Sequence, residues 1–352
     1  MLTLIMPCAG KSSRFPNMKP KWMLTHPDGK LMIEKALDGF DQSVFDRIII
    51  TIVKPHVDKY EADLVLRQVF SNSKIEICIL DDFTKSASET IVKTLDKMNV
   101  KGAFIIKDSD NFVKFELPKS INNRIVAYDL MKHPDVTNIP GKSFLISERA
   151  GEVGDIVEKR VVSNLICLGV YEFKSSESFI RAYNELKKQS FSGEMFVSQV
   201  ISYMIKQENE SFYIIEATNY SDWGTLREWR QVQKNCSTYF IDVDGVLLRN
   251  SGRYGSFNWS NNESILEDNC LLIKELQDQG AQIIITTART EEFRPKLVEL
   301  LESQGIYPYA ILMGLNHSTR VLVNDFAPTN PYPSGVAISF PRNECLRSYL
   351  NQ

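Results

Sequence analysis

The chain has 352 residues, about twice the common length of a single domain, so two units with a core each are expected. Apolar residues make up 43% and charged residues 24%, which excludes a disordered chain and is ordinary for a globular one. Lys plus Arg total 41 against 44 Asp plus Glu; the net charge of −3 gives no general reason to bind a polyanion, and nucleic acid is not an expected partner.

Residues 2–6 read as a buried strand that runs into Pro7-Cys8-Ala9-Gly10-Lys11-Ser12-Ser13-Arg14, a loop of small residues and turn formers. Further β-rich runs lie at 47–53, 75–80, 103–106 and 164–173, with helical patterns at 31–40, 57–70 and 88–98 among them. This alternation predicts an α/β layer fold with a largely parallel sheet. The pattern restarts near Thr238, with a strand at 239–241, a helix at 263–279 closed by Gly280, and a strand at 282–286. A helix at 291–304 closed by Gly305 and strands at 320–323 and 335–339 complete a second α/β set. The boundary is expected between Arg230 and Ser237, giving domains 1–233 and 234–352, each a Rossmann-like three-layer fold.

Cys8, Cys78, Cys167, Cys236, Cys270 and Cys345 lie far apart with no C-x-x-C pair, as reduced thiols do. No apolar run approaches the roughly 18 residues that span a bilayer, and the first apolar stretch ends at Pro7. A cytoplasmic protein without a membrane partner is expected.

Gly10-Lys11-Ser12 is not a Walker A loop, which would need Gly where Ile5 stands. Arg14, Lys19 and Lys21 instead add three cations to a loop of backbone amides, a combination that cradles a polyphosphate. The run Ala9-Gly10-Lys11-Ser12-Ser13-Arg14-Phe15, continued by Pro20-Lys21, resembles the G-x-G-T-R…P-K signature of the sugar-phosphate and phosphocholine nucleotidyltransferases. Ser12 stands where that signature usually has its second Gly, a departure without consequence if the backbone there keeps φ negative.

Four later segments extend the resemblance in order. Thr84-Lys85-Ser86-Ala87-Ser88-Glu89-Thr90 is similar to the segment near base and ribose, closest to the phosphocholine cytidylyltransferase branch. Lys107-Asp108-Ser109-Asp110-Asn111 follows a buried strand, where the family keeps a metal-binding Asp. Val157-Glu158-Lys159, Ser163-Asn164 and Gly169-Val170-Tyr171 resemble the segment that holds the acceptor phosphate, and Tyr220-Ser221-Asp222-Trp223-Gly224-Thr225 the one with a second metal-binding Asp.

The resemblance covers about residues 1–230 and implies a nucleotidyltransferase fold of the GT-A type. It places Ala9, Gly10, Lys11, Ser12, Ser13, Arg14, Lys21, Ser86, Ala87, Ser88 and Asp108 at the nucleotide, and Glu158, Lys159, Asn164 and Asp222 at the acceptor. Arg14, Lys21 and Lys159 are the implied catalytic cations; Asp108 or Asp110, with Asp222, would carry Mg²⁺. The partners implied are a nucleoside triphosphate, CTP by preference, and a phosphorylated sugar, polyol or small alcohol. GT-A glycosyltransferases share a D-x-D, which Asp108-Ser109-Asp110 satisfies, but not the N-terminal cationic loop.

Asp242-Val243-Asp244-Gly245 places two carboxylates at i and i+2 directly after an apolar strand. An EF-hand loop is excluded, because its twelfth position is Arg253 rather than Glu. The run resembles motif I of the haloacid dehalogenase-like phosphatases, in which the first Asp attacks phosphorus and the second protonates the leaving alcohol. Thr287 resembles motif II and Asn324-Asp325 the acidic motif IV, which implies Mg²⁺ at Asp242, Asp244 and Asp325. No Lys fills motif III; Arg320 is nearest to its place, with Lys296 on an earlier helix. The short interval before Thr287 leaves no room for a cap domain, so 249–262 forms a flap and a homo-oligomer could close the site. The whole reads as a bifunctional enzyme making a nucleotide-activated precursor for a surface polysaccharide. A transferase with an idle second domain, or a nucleotide-binding scaffold, is the alternative.

Overall fold

The computed structural model describes all residues except 72–73, 134–135, 137, 150, 190–192, 253–258, 260–263, 326–333 and 351–352. Two compact units divide the chain, Met1–Trp229 and Arg230–Gln352. Both are mixed α/β.

In the first unit the branched apolar runs become β1 (Thr3–Pro7), β2 (Arg47–Val53), β3 (Ile75–Leu80) and β4 (Phe104–Lys107). Side chains alternate across β1: Leu4 and Met6 enter one core with Ile48, Ile50 and Trp22, while Ile5 enters another with Ile49, Phe104 and Ile106. A strand buried on both faces needs helices on both, and they are present. α1 (Met32–Leu37) and α3 (Ala62–Val69) cover the first face; α4 (Ala87–Lys97), α5 (Ser176–Lys188) and α6 (Val197–Glu208) cover the second. The helix expected over 57–70 is two, because Glu61 at φ +50° turns left-handed between α2 (Lys54–Tyr60) and α3.

The remaining strands are β5 (Asn111–Lys114), β6 (Arg124–Asp129), β7 (Ser143–Arg149), β8 (Glu152–Glu158), β9 (Leu165–Phe173), β10 (Phe212–Glu216) and β11 (Asn219–Asp222). Among the described residues nine strands form one sheet in the order β3-β2-β1-β4-β9-β6-β10-β8-β7. β1 lies parallel between β2 and β4, so the chain departs to one side and returns on the other. Such a switch opens a crevice beyond the carboxyl ends of the strands. β5 and β11 form a separate antiparallel pair in which Asp222 faces Asn111. After β11, α7 (Leu226–Asn235) starts on a reciprocal cap: Thr225 N–H donates to Glu228 Oε2 at 2.9 Å.

In the second unit β12 (Thr238–Asp242), β13 (Gln282–Thr286) and β14 (Ala310–Leu312) form a parallel sheet in that order. Ile241, Ile283 and Ile285 pack on Leu272 and Ile273 of the helix Glu267–Asp278 and on Leu297 and Leu301 of the helix Arg294–Ser303. The strands expected at 320–323 and 335–339 are not formed. Val321, Leu322 and Val323 are 78%, 56% and 85% exposed and lie in no ladder among the described residues, so the β-branched character of the two valines has no sheet to act on. Most of the expected flap, 249–262, lies outside the described residues.

All six cysteines are free, and Cys8, Cys78, Cys167 and Cys270 are buried. No helix among the described residues is long and apolar enough to cross a membrane.

Candidate active site

The loop after β1 and the loop after β4 leave the carboxyl ends of adjacent parallel strands, so the crevice is lined by 8–14 on one side and 108–111 on the other. Lys107 fixes the second loop from beneath. Its side chain is fully buried and donates to the carbonyls of Asp108 at 2.6 Å and Asn111 at 3.0 Å and to Asn111 Oδ1 at 2.5 Å. Burial lowers its pKa, opposed by the charges of Asp108 and Asp110.

The two aspartates of the loop have opposite environments. Asp108 N–H donates to the Gly169 carbonyl at 2.9 Å, and a methyl group on Gly169 would fall 2.2 Å from Asp108 Oδ2. Gly169 has φ +69°, so both the close approach and the backbone exclude a side chain. Burial and the neighbouring Asp110 push the Asp108 carboxyl up. Burial also acts on Asp110, but Lys21, Arg14 and Lys107 outweigh it and hold that carboxyl low.

Asp110 Oδ2 receives the ammonium of Lys21. Trp223 N–H donates to the Asp110 carbonyl at 2.9 Å, which ties the loop to the end of β11 and carries Asp222 beside it. A methyl group on Gly224 would stand 3.1 Å from both Asp110 Oδ2 and Asp222 Oδ1 and 3.6 Å from the guanidinium of Arg14. Three charged groups from three segments therefore converge on one glycine. Trp22 and Trp223 are buried packing residues.

The 9–14 loop is open where a ligand's oxygens would approach its amides: a methyl group on Gly10 would meet nothing within 4 Å, and Lys11, Ser13 and Arg14 are exposed. Ser12 corrects an expectation. Its φ is +51°, so the serine occupies the left-handed conformation that glycine adopts freely. Compensation comes from its side chain, whose Oγ accepts the Lys21 N–H at 3.1 Å and couples the loop to the lysine that follows. Thr84 N–H donates to the Ala9 carbonyl at 3.3 Å, which brings the 84–90 segment alongside. There Ser86 caps α4, accepting the Glu89 N–H at 3.2 Å, and the Ser88 hydroxyl bonds the Met195 carbonyl; Ala87 opens the helix.

Glu158 ends β8, and Lys159 follows it with φ +52°. Glu158 Oε2 accepts from Ser143 Oγ at 2.5 Å and Ser198 Oγ at 2.6 Å, whereas exposed Lys159 places its ammonium 4.1 Å from the centroid of Phe196. Asn164 is exposed just before β9. One cation at this end has no counterpart in the sequence reading. Lys142 is nearly buried, pairs with Asp222 Oδ2, and donates to the Tyr220 hydroxyl at 2.7 Å. Burial lowers its pKa, against the charges of Glu228 and Asp110. Its carbonyl accepts the Lys159 N–H at 3.0 Å. It follows Pro140-Gly141 without any motif, so only the tertiary structure reveals it.

No protein-family model matches the chain, and no curated protein matches it. Solved structures do. A nucleoside-diphosphate-sugar pyrophosphorylase from Vibrio cholerae RC9 superposes with a TM-score of 0.55 at 20% identity, over 65% of this chain and 98% of its own. A UDP-glucose pyrophosphorylase complexed with UDP-glucose gives a TM-score of 0.50 at 15% identity, over 66% of this chain and 97% of its own. The N-terminal two-thirds of the chain has a nucleotidyltransferase-like fold. Within this nucleotidyltransferase-like unit the crevice beyond β1 and β4 is where the charged groups gather.

The second unit has its own polar cluster. Asp242 ends β12 opposite Thr286 of β13, and the fully buried Thr287 follows. Burial raises the Asp242 carboxyl, with Arg320 acting against it from 3.7 Å. Asp244 is held by Arg289, Nε to Oδ2 at 3.0 Å and Nη2 to Oδ1 at 2.8 Å, a bidentate pair the sequence reading did not contain. Asp325 is exposed, and among the described residues no three acidic, His or Cys side chains gather as metal ligands in either unit. The expected set of Asp242, Asp244 and Asp325 is therefore not assembled, and in the first unit Asp110 and Asp222 stand near Gly224 while Asp108 faces Gly169.

Proposed function

We propose that residues 1–233 transfer a nucleotidyl group from a nucleoside triphosphate to a phosphorylated small molecule and release pyrophosphate. The observation that carries this reading is the convergence of Arg14, Asp110 and Asp222 at Gly224, with Lys21 on Asp110, beside an open loop of amides. In this reading the amides of 10–13 and Arg14 hold the triphosphate, Lys21 takes the α-phosphate, and Ser86, Ala87 and Ser88 line the nucleoside. Lys159 receives the acceptor phosphate, with Glu158 and Asn164 supporting that end. An acceptor phosphate oxygen attacks the α-phosphorus, the bond to the β-phosphate oxygen breaks, and pyrophosphate leaves with the electron pair. Because the attacking phosphate is already ionised, the chain need supply no general base.

Asp110 and Asp222 suit Mg²⁺: two hard carboxylate oxygens stand close to one point, and this ion commonly binds through one or two carboxylates with substrate phosphates and water. We assign the metal to Asp110 rather than Asp108, which faces Gly169. Bound there, the ion would neutralise charge developing on the transferring phosphoryl group. The names of the two similar structures favour a sugar phosphate as acceptor, and the 84–90 segment favours CTP.

For residues 234–352 we infer a haloacid dehalogenase-like phosphatase that acts on a related metabolite. Support comes from Asp242 and Thr287 at the ends of neighbouring parallel strands, with Arg320 beside the would-be nucleophile. The two activities in one chain suit consecutive steps towards a nucleotide-activated precursor of a surface polysaccharide. Incubation of the purified protein with Mg²⁺, each of the four nucleoside triphosphates and a panel of phosphorylated sugars and polyols tests the transferase reading by pyrophosphate release. Phosphate release that Asp242→Asn abolishes tests the second; its retention in that variant contradicts it.

A further inference from the structure

Each of the two carboxylates assigned to Mg²⁺ already holds a lysine. Lys21 lies on Asp110 and Lys142 on Asp222, so two negative and two positive charges cancel in a small, largely desolvated space. Lys142 is the more enclosed, its side chain 10% exposed. Its ammonium is held by the Tyr220 hydroxyl at 2.7 Å as well as by Asp222. Charged neighbours that bear on it are Glu228, Asp110 and Asp108, and, with the opposite sign, Arg14.

Lys142 holds Oδ2 of Asp222 while Oδ1 stands near Gly224. A bare divalent ion on Oδ1 would therefore meet a carboxylate whose charge the ammonium already neutralises, and would bring no anion in return for the cation it adds beside Lys142 and Arg14. A metal that arrives on a triphosphate brings the negative charge that displaced ammonium groups can bind. We infer that Lys142 is a resident counter-ion that closes Asp222 to free Mg²⁺ and yields it to a metal–nucleotide complex, so that metal and nucleotide enter together. The inference rests on the nucleotidyltransferase reading of this unit and adds to it a positioning residue that sets the order of entry.

Binding of Mn²⁺ to the full chain tests this without turnover, by titration calorimetry or paramagnetic resonance, with Mn²⁺ alone and with Mn²⁺ plus CTP. Binding at this site is the portion lost in Asp222→Asn. The wild type should bind Mn²⁺ alone weakly and with CTP well. Lys142→Met should tighten binding of Mn²⁺ alone by about tenfold or more, the equivalent of one charge-assisted hydrogen bond, with a smaller change when CTP is present. Lys142→Arg should stay weak for Mn²⁺ alone. Tyr220→Phe, which loosens the ammonium without removing it, should move affinity in the same direction as Lys142→Met and serves if that variant does not fold. Unchanged or weaker binding of Mn²⁺ alone in folded Lys142→Met, or in Tyr220→Phe should the former not fold, would overturn the inference and leave the reading standing. Absence of any Asp222-dependent Mn²⁺ binding in the wild type with every nucleoside triphosphate would overturn the reading itself.

Discussion

The ammonium of Lys21 rests on the carboxylate of Asp110, joining residues 89 positions apart across the crevice between β1 and β4. If this pair belongs to the reacting centre, loss of the lysine removes a cation aimed at developing phosphoryl charge. Lys21→Met should then lower kcat for pyrophosphate release by about 100-fold or more. Asp222→Ala should likewise stop transfer, and both variants should leave phosphate release by the second unit intact. Parallel pyrophosphate and phosphate assays on one preparation decide the matter; loss of both activities together would mean the sites are not separate.

Two glycines in the site should respond oppositely to a methyl group. Gly169→Ala puts a side chain at φ +69° and 2.2 Å from Asp108 Oδ2, so it should destabilise the first unit by at least about 2 kcal/mol in urea unfolding. Gly10→Ala meets nothing within 4 Å and should leave stability within about 0.5 kcal/mol while weakening nucleotide binding, because the added methyl stands where phosphate oxygens approach. Equal stability losses would show that the 9–14 loop is structural.

His56 sets a pH dependence. It is buried near Trp22 and Phe83, its Nδ1 has no hydrogen-bond partner among the described residues, and burial lowers its pKa to about 4 from an ordinary 6.5. Between pH 6.5 and 4 the unfolded chain therefore takes up a proton that the folded chain refuses, and stability falls as pH falls through that window. The full effect is on the order of 3 kcal/mol. Denaturant midpoints at several pH values should show this acid limb in the wild type and a flatter one in His56→Phe.

In the second unit the buried guanidinium of Arg289 spans both oxygens of Asp244. Removing one partner of a buried pair costs more than the pair contributes, so Arg289→Met should destabilise this unit by roughly 3–5 kcal/mol. Differential scanning calorimetry would see one transition move while that of the first unit stays; an unmoved thermogram would contradict the packing role.

Much of the first unit was legible in its residues because the signals there are local. The apolar run before Pro7, the small-residue loop and the acids of 108–110 each announce a strand end, a turn or a charge within a few positions. Glu61 and Ser12 were not legible, since neither is a residue type that advertises a left-handed backbone. Lys142 was hidden for a different reason: its role depends on Asp222 and Tyr220, some 80 residues on, and no spacing rule connects them. The second unit misled by composition. Val321-Leu322-Val323 has strand character but no ladder, while Ala310–Leu312 forms a strand too short for periodicity to declare.

The central claim is that the first unit moves a nucleotidyl group onto a phosphate. Pyrophosphate release in the presence of Mg²⁺, measured across four nucleoside triphosphates and a panel of phosphorylated sugars, polyols and small alcohols, tests it most directly. The account predicts acceptor-dependent pyrophosphate with at least one pair, highest with CTP and lost in Lys21→Met. Tight nucleotide binding without pyrophosphate from any acceptor would contradict it.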